Sequence, residues 1–488
     1  MDWGTIWQFS VTWYWVPMTL IYTGVIITIL SENRNPSKSL AYILILVFVP
    51  VAGLVVYYLV GRKPLFKHKL FTRKRLVDQQ KMQQYYQEME PQMEQWLLSL
   101  EKEIGDMAFP FRYLYYQRQS LISHGNAVRL LLNGEEKFPA LFEAIENARI
   151  HIHLEYYIFT ADDLGNRLAN LLIQKHQEGV EVRVIVDDVG SNHIGTIPKR
   201  FAEAGIPLLK TLPVTFTSLA NSNYRNHRKI AIIDGVIGFM GGINLDERYW
   251  NNGKHKLFWR DTAVRIEGPA VKLLQVQFML GWFFSGGRDD FGDAKNYFCD
   301  VQEPKGNALI AFAASGPSSS APFAMEAILL ALSQAQKSIR ICTPYFIPTE
   351  QLTSTLMIAA ASGIEVELIL PRTSDSFIVQ HASFSFLKPL LKRRVRIFLY
   401  EKGFIHAKTI SIDGSLAFVG TVNMDTRSFY LNFEITSVIY EPQFCKNLER
   451  SFEEDKKDSV EITLEGWLSR PVLRRGFDSV CRLVAPLL

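Results

Sequence analysis

Two uncharged, strongly apolar runs stand at the head of the chain: no Asp, Glu, Lys or Arg occurs between Asp2 and Glu32, or between Lys38 and Arg62. Each run is long enough for the roughly 20-residue helix that crosses a bilayer, so the pattern predicts a two-helix transmembrane hairpin over residues 1–62. Ser31 to Ser39, with Asn33, Asn35 and Pro36, reads as the turn between them. A cleaved leader needs basic residues before its apolar run and a small-residue cleavage site after it. Met1-Asp2-Trp3 and Ile29-Leu30-Ser31-Glu32 offer neither. Arg62, Lys63, Lys67, Lys69, Arg73, Lys74 and Arg75 crowd the far end, and the positive-inside bias then puts the rest of the chain in the cytoplasm. The same cations suit anionic lipid headgroups equally well.

Beyond them, Leu76 to Met107 is rich in Gln, Glu, Met and Leu and reads as helix, giving a basic connector over residues 63–108. The pattern then repeats itself. Ala144-Ile145-Glu146-Asn147-Ala148, Ile150-x-Ile152 and Tyr156-Tyr157-Ile158 are echoed by Ala331-Leu332-Ser333-Gln334-Ala335, Ile339-x-Ile341 and Tyr345-Phe346-Ile347. The strand pattern from Gly179 to Val186 returns from Gly363 to Leu370. Strands alternating with helices predict two α/β halves, over 109–300 and 301–488. Their boundary falls in the polar, turn-forming stretch from Ser285 to Asn307.

A length of 488 residues fits several packed units, and a formal charge of +4 argues against a surface that wraps nucleic acid. Cys299, Cys342, Cys445 and Cys481 lack paired spacing and read as thiols in a reducing compartment.

The repeat carries the chemistry. His227, Lys229, Asp234, Gly241 and Asn244 recur as His406, Lys408, Asp413, Gly420 and Asn423, at identical offsets from each histidine. Both motifs read as strands in which histidine and lysine share a face. Asp234-Gly235 and Asp413-Gly414 form hairpin turns, so the aspartates stand either with the catalytic groups or as turn residues. A neutral imidazole is a competent nucleophile toward phosphorus, and a second imidazole can protonate a departing alcohol. The lysine ammoniums would stabilise charge on the phosphoryl oxygens without a metal. Asn244 and Asn423 would donate to the same oxygens as substrate-binding groups, and the glycines let backbone approach closely or serve turns.

This paired HxKxxxxD pattern resembles the signature of the phospholipase D superfamily over roughly Phe109 to Glu441. The resemblance implies a pseudo-twofold duplicated α/β fold and a covalent phosphohistidine intermediate. It makes His227 the nucleophile and His406 the acid/base, although the sequence does not order the two. Asp261 in Trp259-Arg260-Asp261 and Glu434 in Asn432-Phe433-Glu434 match supporting positions that orient the histidines. With the N-terminal hairpin, Thr343-Pro344-Tyr345-Phe346-Ile347-Pro348 and Gly420-Thr421-Val422-Asn423-Met424-Asp425-x-Arg427-Ser428, the whole chain is similar to the bacterial cardiolipin synthases. That similarity implies a multi-pass protein of the bacterial cell membrane. It would transfer a phosphatidyl group between two phosphatidylglycerol molecules to give cardiolipin and glycerol, with no nucleotide, metal or other cofactor.

Other readings share the motif pair: a phospholipase D with water as acceptor, a synthase using another headgroup such as phosphatidylethanolamine, and an idle lipid-binding scaffold. His124, His151, His153, His193, His255 and His381 lack motif partners and read as structural or surface residues, and Asp187-Asp188 as a turn or a contact to the second half. The C-terminal stretch from Trp467 to Leu488 mixes basic and apolar residues at helical spacing. It reads as a helix lying on a membrane surface or, alternatively, docked on the core.

Overall fold

The computed structural model describes residues 15–31, 36–49, 51, 53, 54, 57, 93, 94, 96–214, 223–288, 297, 298, 304–483 and 485. The chain divides into two compact units, one of residues 1–68 with 215–223 and one of residues 69–214 with 224–488.

In the first unit the apolar runs form helices Trp15–Ser31 and Pro36–Phe48, of 17 and 13 residues. Ile29, Leu46 and Tyr57 bury themselves against Tyr22, Val25, Tyr42, Ile43 and Leu54. Leu20, Ile27, Leu30, Leu44 and Phe48 remain exposed. Among the described residues no helix is long and apolar enough to cross a membrane; the two runs of the sequence continue into residues that are not described. The basic cluster Arg62 to Arg75 and most of the connector from Leu76 also lie outside the described residues.

In the second unit, alternating strand and helix patterns condense into one 15-stranded sheet with two small accessory ladders. The first half supplies β1 (Ser123–Leu132), β2 (His151–Tyr156), β3 (Glu181–Asp187), β4 (Leu208–Thr211), β5 (Lys229–Ile233), β6 (Ile237–Gly241), β7 (Phe258–Arg260) and β8 (Thr262–Glu267). The second supplies β9 (Ala308–Ser315), β10 (Ser338–Cys342), β11 (Phe346–Ile347), β12 (Glu365–Pro371), β13 (Arg396–Tyr400), β14 (Gly403–Ile405), β15 (Thr409–Ile412), β16 (Leu416–Gly420), β17 (Met424–Asp425), β18 (Glu434–Tyr440) and β19 (Ser459–Ile462).

The strand order shows the duplication directly. From the centre outward one side runs β1-β8-β6-β5-β2-β3-β4 and the other β9-β18-β16-β15-β10-β12-β13, with β19 added at the far edge. The two sides meet where β1 pairs antiparallel with β9, Asn126 facing Ala308. One apolar core runs through both halves, from Ile230, Met240 and Phe278 to Phe312, Leu356 and Ile410. A second, containing Phe138, Leu168, Ala231 and Phe239, fills the first half.

The motif aspartates belong to this scaffold. Asp234 and Asp413 both adopt left-handed backbone, at φ 53° each, and the glycine after each has positive φ as well. Two consecutive left-handed residues suit a tight hairpin. The Asp234 carboxylate accepts the backbone N–H of Arg149 at 2.8 Å, Ile150 at 2.7 Å and His151 at 2.9 Å, which ties the turn to the start of β2. Asp413 accepts those of Gln336, Lys337 and Ser338 at 2.8, 2.7 and 2.8 Å, at the start of β10. Each aspartate closes the end of its strand opposite the motif lysine, so a place among the catalytic groups is corrected to a structural one.

Asp413→Ala strips three backbone donors of their acceptor. It should cost about 1–3 kcal/mol and lower the melting temperature, with turnover per folded molecule nearly unchanged. A turnover loss as large as that of a motif-histidine variant, at unchanged stability, would return the aspartate to the chemistry.

Candidate active site

The two motif histidines sit just ahead of β5 and β15, and in each motif the lysine ammonium folds back to donate to the carbonyl of its own histidine, Lys229 to His227 at 2.6 Å and Lys408 to His406. All four side chains are buried. Loop 224–227 is pinned from below by Asp187. Its carboxylate pairs with Arg225 at 3.0 Å and accepts the N–H of Asn226 at 2.8 Å, while Asn226 donates to the buried Glu155 at 2.8 Å. Asp187 is therefore a brace within its own half, and Asp188 pairs with Lys210 at 2.9 Å.

Each histidine is held by a carboxylate from the opposite half. Nδ1 of His227 lies 3.0 Å from both oxygens of Glu434, and Nδ1 of His406 lies 2.7 Å from Asp261. The backbone makes the exchange possible. Asn226 bridges in parallel to Phe433, and the N–H of His227 donates to the Phe433 carbonyl at 2.9 Å. Symmetrically, β7 pairs in parallel with β14, and the N–H of His406 donates to the Arg260 carbonyl at 2.6 Å. Arg260 also reaches across to Asp455 at 2.8 Å, a buried pair between halves.

Both carboxylates are fully buried. Thr421 donates to Glu434, Asn432 donates to its other oxygen at 3.2 Å, and the N–H of Thr262 donates to Asp261 at 2.7 Å. Burial alone would raise their pKa; the histidines and lysines opposite hold both below the usual carboxylate range. Burial lowers the imidazoles in turn, His406 to about 3 with the Lys408 charge adding to the effect, and His227 against the pull of Glu434. Desolvation also pushes the Lys408 ammonium down to about 8 and that of Lys229 well below its ordinary value. Burial and the lysine charges thus both favour the neutral imidazole. Since lysine charge is part of what lowers them, an anion between the lysines would raise their proton affinity again. With Nδ1 committed to a carboxylate, Nε2 is the nitrogen left for chemistry.

Aromatic rings enclose the pair. The Tyr157 ring lies 4.9 Å from His227, and those of Tyr249, Trp259, Phe404 and Tyr345 lie 5.9, 5.7, 5.7 and 6.5 Å from His406. Sequence reasoning assigned none of these rings, nor Thr421 and Asn432, a role at the site. Thr421 and Asn432 lie inside the segments Gly420–Ser428 and Asn432–Glu434, but only their packing against Glu434 reveals their use.

The asparagines and glycines divide differently from expectation. Asn244 accepts from the N–H of Ile158 at 3.2 Å and donates to the Tyr249 hydroxyl at 2.8 Å, so it braces the loop under the site. Asn423, at the matching position, is buried with its carbonyl oxygen unpartnered. A Cβ on Gly241 or Gly420 would lie 2.5 Å from backbone of the neighbouring β8 or β18, so these glycines permit close strand packing. The remaining histidines behave as structural groups where they are buried: His153 stacks on Phe278 at 4.4 Å, and His381 meets Asp478 at 2.6 Å.

The family described as cardiolipin synthase, PLD-like domain, matches residues 141–278 and 328–456, and one described as phospholipase D-nuclease N-terminal matches residues 20–62. A cardiolipin synthase of Geobacillus sp. (strain WCH70) is 36% identical over 97% of this chain and 93% of its own length. The major cardiolipin synthase of Bacillus subtilis (strain 168) is 37% identical over 95% of this chain and 96% of its own. Among solved structures, a phosphatidylserine synthase of Haemophilus influenzae Rd KW20 superposes with a TM-score of 0.58 at 15% identity, covering 74% of this chain and 95% of that one, a likeness of fold. The doubled sheet, the crossed histidine–carboxylate pairs and near full-length similarity agree: the chain belongs to the cardiolipin synthase family of phospholipase D-type phosphatidyltransferases.

Proposed function

We propose that this protein makes cardiolipin and glycerol from two molecules of phosphatidylglycerol at the site between its two halves. The observation that carries the reading is the crossed arrangement, in which two buried imidazoles, each fixed through Nδ1 by a buried carboxylate, stand beside two buried lysines. A phosphodiester monoanion is what such a site is charged to receive.

In the reaction, Nε2 of His227 attacks the phosphorus of the first phosphatidylglycerol. The bond from phosphorus to the glycerol oxygen breaks, and His406, protonated once the bound anion offsets the lysines, gives its proton to that oxygen. Glycerol leaves, and phosphatidyl-His227 remains. His406, now neutral, takes the proton from a glycerol hydroxyl of the second phosphatidylglycerol as that oxygen attacks phosphorus. The phosphorus–nitrogen bond breaks, cardiolipin departs, and both histidines are restored. Lys229 and Lys408 hold the phosphoryl oxygens, with Asn423 as a further amide donor. Asp261 and Glu434 keep the imidazole tautomers and stabilise positive charge on the rings. One phosphodiester is exchanged for another, so no external energy source enters.

Residues 1–62 are the membrane anchor in this reading, 63–108 the connector, and 109–300 and 301–488 the catalytic halves. Support for the anchor comes from the apolar surface that the paired helices leave exposed and from the uncharged runs that continue past them. The cations after residue 62 favour a cytoplasmic catalytic part in the bacterial cell membrane.

Purified protein in phosphatidylglycerol liposomes should give cardiolipin and glycerol in equal amounts, and His227→Ala and His406→Ala should each abolish both. Phosphatidic acid as the main product would make the protein a hydrolase, and turnover indifferent to both substitutions would remove the site assignment. Trapped phosphatidyl-enzyme mapped to His406 would reverse the two roles.

Glu434→Gln should lower kcat on the order of 10²–10⁴-fold. Because Glu434 raises the proton affinity of His227 against burial, its loss lowers that pKa, and the acidic limb of kcat/KM should move to lower pH. A limb that stays in place or moves up would separate Glu434 from the His227 titration.

A further inference from the structure

The last helix among the described residues, Val472–Leu483, is turned inside out. Its buried residues are Asp478 and Cys481, while Val472 is 73%, Leu473 89%, Val480 59% and Leu483 79% exposed. At 3.6 residues per turn these four, with Phe477, cover an arc of about 140°. Arg475 and Arg482 flank that arc on one side and Arg474 on the other. The only carboxylate of the helix is the buried one. Asp478 meets His381 at 2.6 Å and Arg470 at 3.1 Å, which fixes the polar face inward and leaves the apolar face outward.

His381 belongs to helix Phe377–Ser385, which carries no Asp, Glu, Lys or Arg and exposes Phe377 and Ile378. The rings of Phe377 and Phe477 lie 5.6 Å apart, joining the two helices into one apolar surface. That surface borders the catalytic groups. Asp375, two residues before the first of these helices, accepts from the Tyr345 hydroxyl at 2.8 Å, and the Tyr345 ring faces His406. The N–H of Phe346 donates to Ser383 at 3.3 Å, and Ile347 packs with Ala382 and Cys481.

We propose that the outer faces of helices Phe377–Ser385 and Val472–Leu483 dock on an anionic lipid bilayer, setting the His406 side of the site against the surface that holds the substrate. This rests on the phospholipid reading above and adds to it a second, separate membrane contact. A contiguous apolar face with arginines on its flanks and no exposed carboxylate on either helix matches a headgroup-acyl boundary of negative charge. The buried Asp478–His381 pair holds the two helices together, so contact at the bilayer is transmitted to the Tyr345 wall of the site.

The test uses the full chain. Leu473→Cys, in a Cys299→Ser background because Cys342, Cys445 and Cys481 are buried, is labelled with bimane and reconstituted in phosphatidylglycerol/phosphatidylcholine vesicles. Brominated lipid should quench the label, and less so as the phosphatidylglycerol fraction falls. In parallel, Leu473→Glu/Val480→Glu should lower kcat/KM on vesicular phosphatidylglycerol by about tenfold or more, yet leave the rate on monomeric short-chain phosphatidylglycerol within about twofold. An unquenched label on active enzyme overturns the proposal, as does an unchanged vesicle rate. Shielding of the label only on self-association or by another protein overturns it as well. Should the double variant lose both activities, the fold is damaged and quenching of the single-cysteine protein decides. Wild-type protein that makes no cardiolipin from either substrate would sink the functional reading alone, since quenching would still report on the surface.

Discussion

Two fully buried carboxylates, Glu434 and Asp261, face two buried imidazoles that belong to the other half of the sheet. A lone carboxylate in such surroundings loses far more solvation than the scaffold returns, and removing the partner of a buried ion pair costs several kcal/mol. Deleting either partner within the joined halves therefore strands a charge in the interior. The exchange extends to the backbone, where the segment before each motif histidine pairs in parallel with the segment before the carboxylate that serves it. The Arg260–Asp455 pair crosses the same boundary. A fold that arose by repetition is thus locked into one functional unit by contacts that neither repeat makes with itself.

The electrostatics follow from that locking. Two lysines and two carboxylates nearly cancel, but desolvation weakens each ammonium's hold on its proton and each carboxylate's tolerance for being alone. A single negative phosphodiester relieves the lysines and raises the proton affinity of the imidazoles beside them. In the proposed reaction, the proton needed by a leaving alkoxide is thereby coupled to the arrival of substrate. An ammonium has three donors, and the histidine carbonyl occupies one of them in each lysine, fixing the direction of the rest.

Much of this was legible in the chain. Matched offsets of His, Lys and Asp disclosed the duplication, and the Asp-Gly pairs disclosed the hairpins, because local chemistry decides both. The aspartates were the exception within the motif. Their spacing is as regular as that of the histidines, yet regular spacing follows from a repeated turn as readily as from a catalytic role, and only the backbone donors around Asp234 and Asp413 distinguish the two. The crossing of Glu434 and Asp261 was not legible, since each carboxylate follows its own half's motif in sequence and nothing local says which imidazole it will meet. Asn244 and Asn423 occupy equivalent positions with unequal surroundings, Tyr249 being present beside one of them, and internal symmetry in the sequence hides that difference. For the C-terminal segment, helical spacing of basic and apolar residues identified an amphipathic helix but not which face turns inward. That depends on His381, nearly a hundred residues away in the chain.

The balance between transfer and hydrolysis turns on access of water to a phosphohistidine. Both motif histidines are buried, and Tyr157, Tyr249, Trp259, Tyr345 and Phe404 stand around them. Desolvation that makes the lysines effective against phosphoryl charge also lowers the local activity of water, so the electrostatic and the acceptor-selecting properties of the site share one cause. A lipid alcohol gains from the same aromatic wall that disfavours water, because its glycerol headgroup arrives with an apolar body that remains in the bilayer. On the docking proposed above, an acceptor delivered from a membrane surface is selected less by recognition of its hydroxyl than by the route it takes, and the position of the Tyr345 side of the site relative to the bilayer becomes part of specificity.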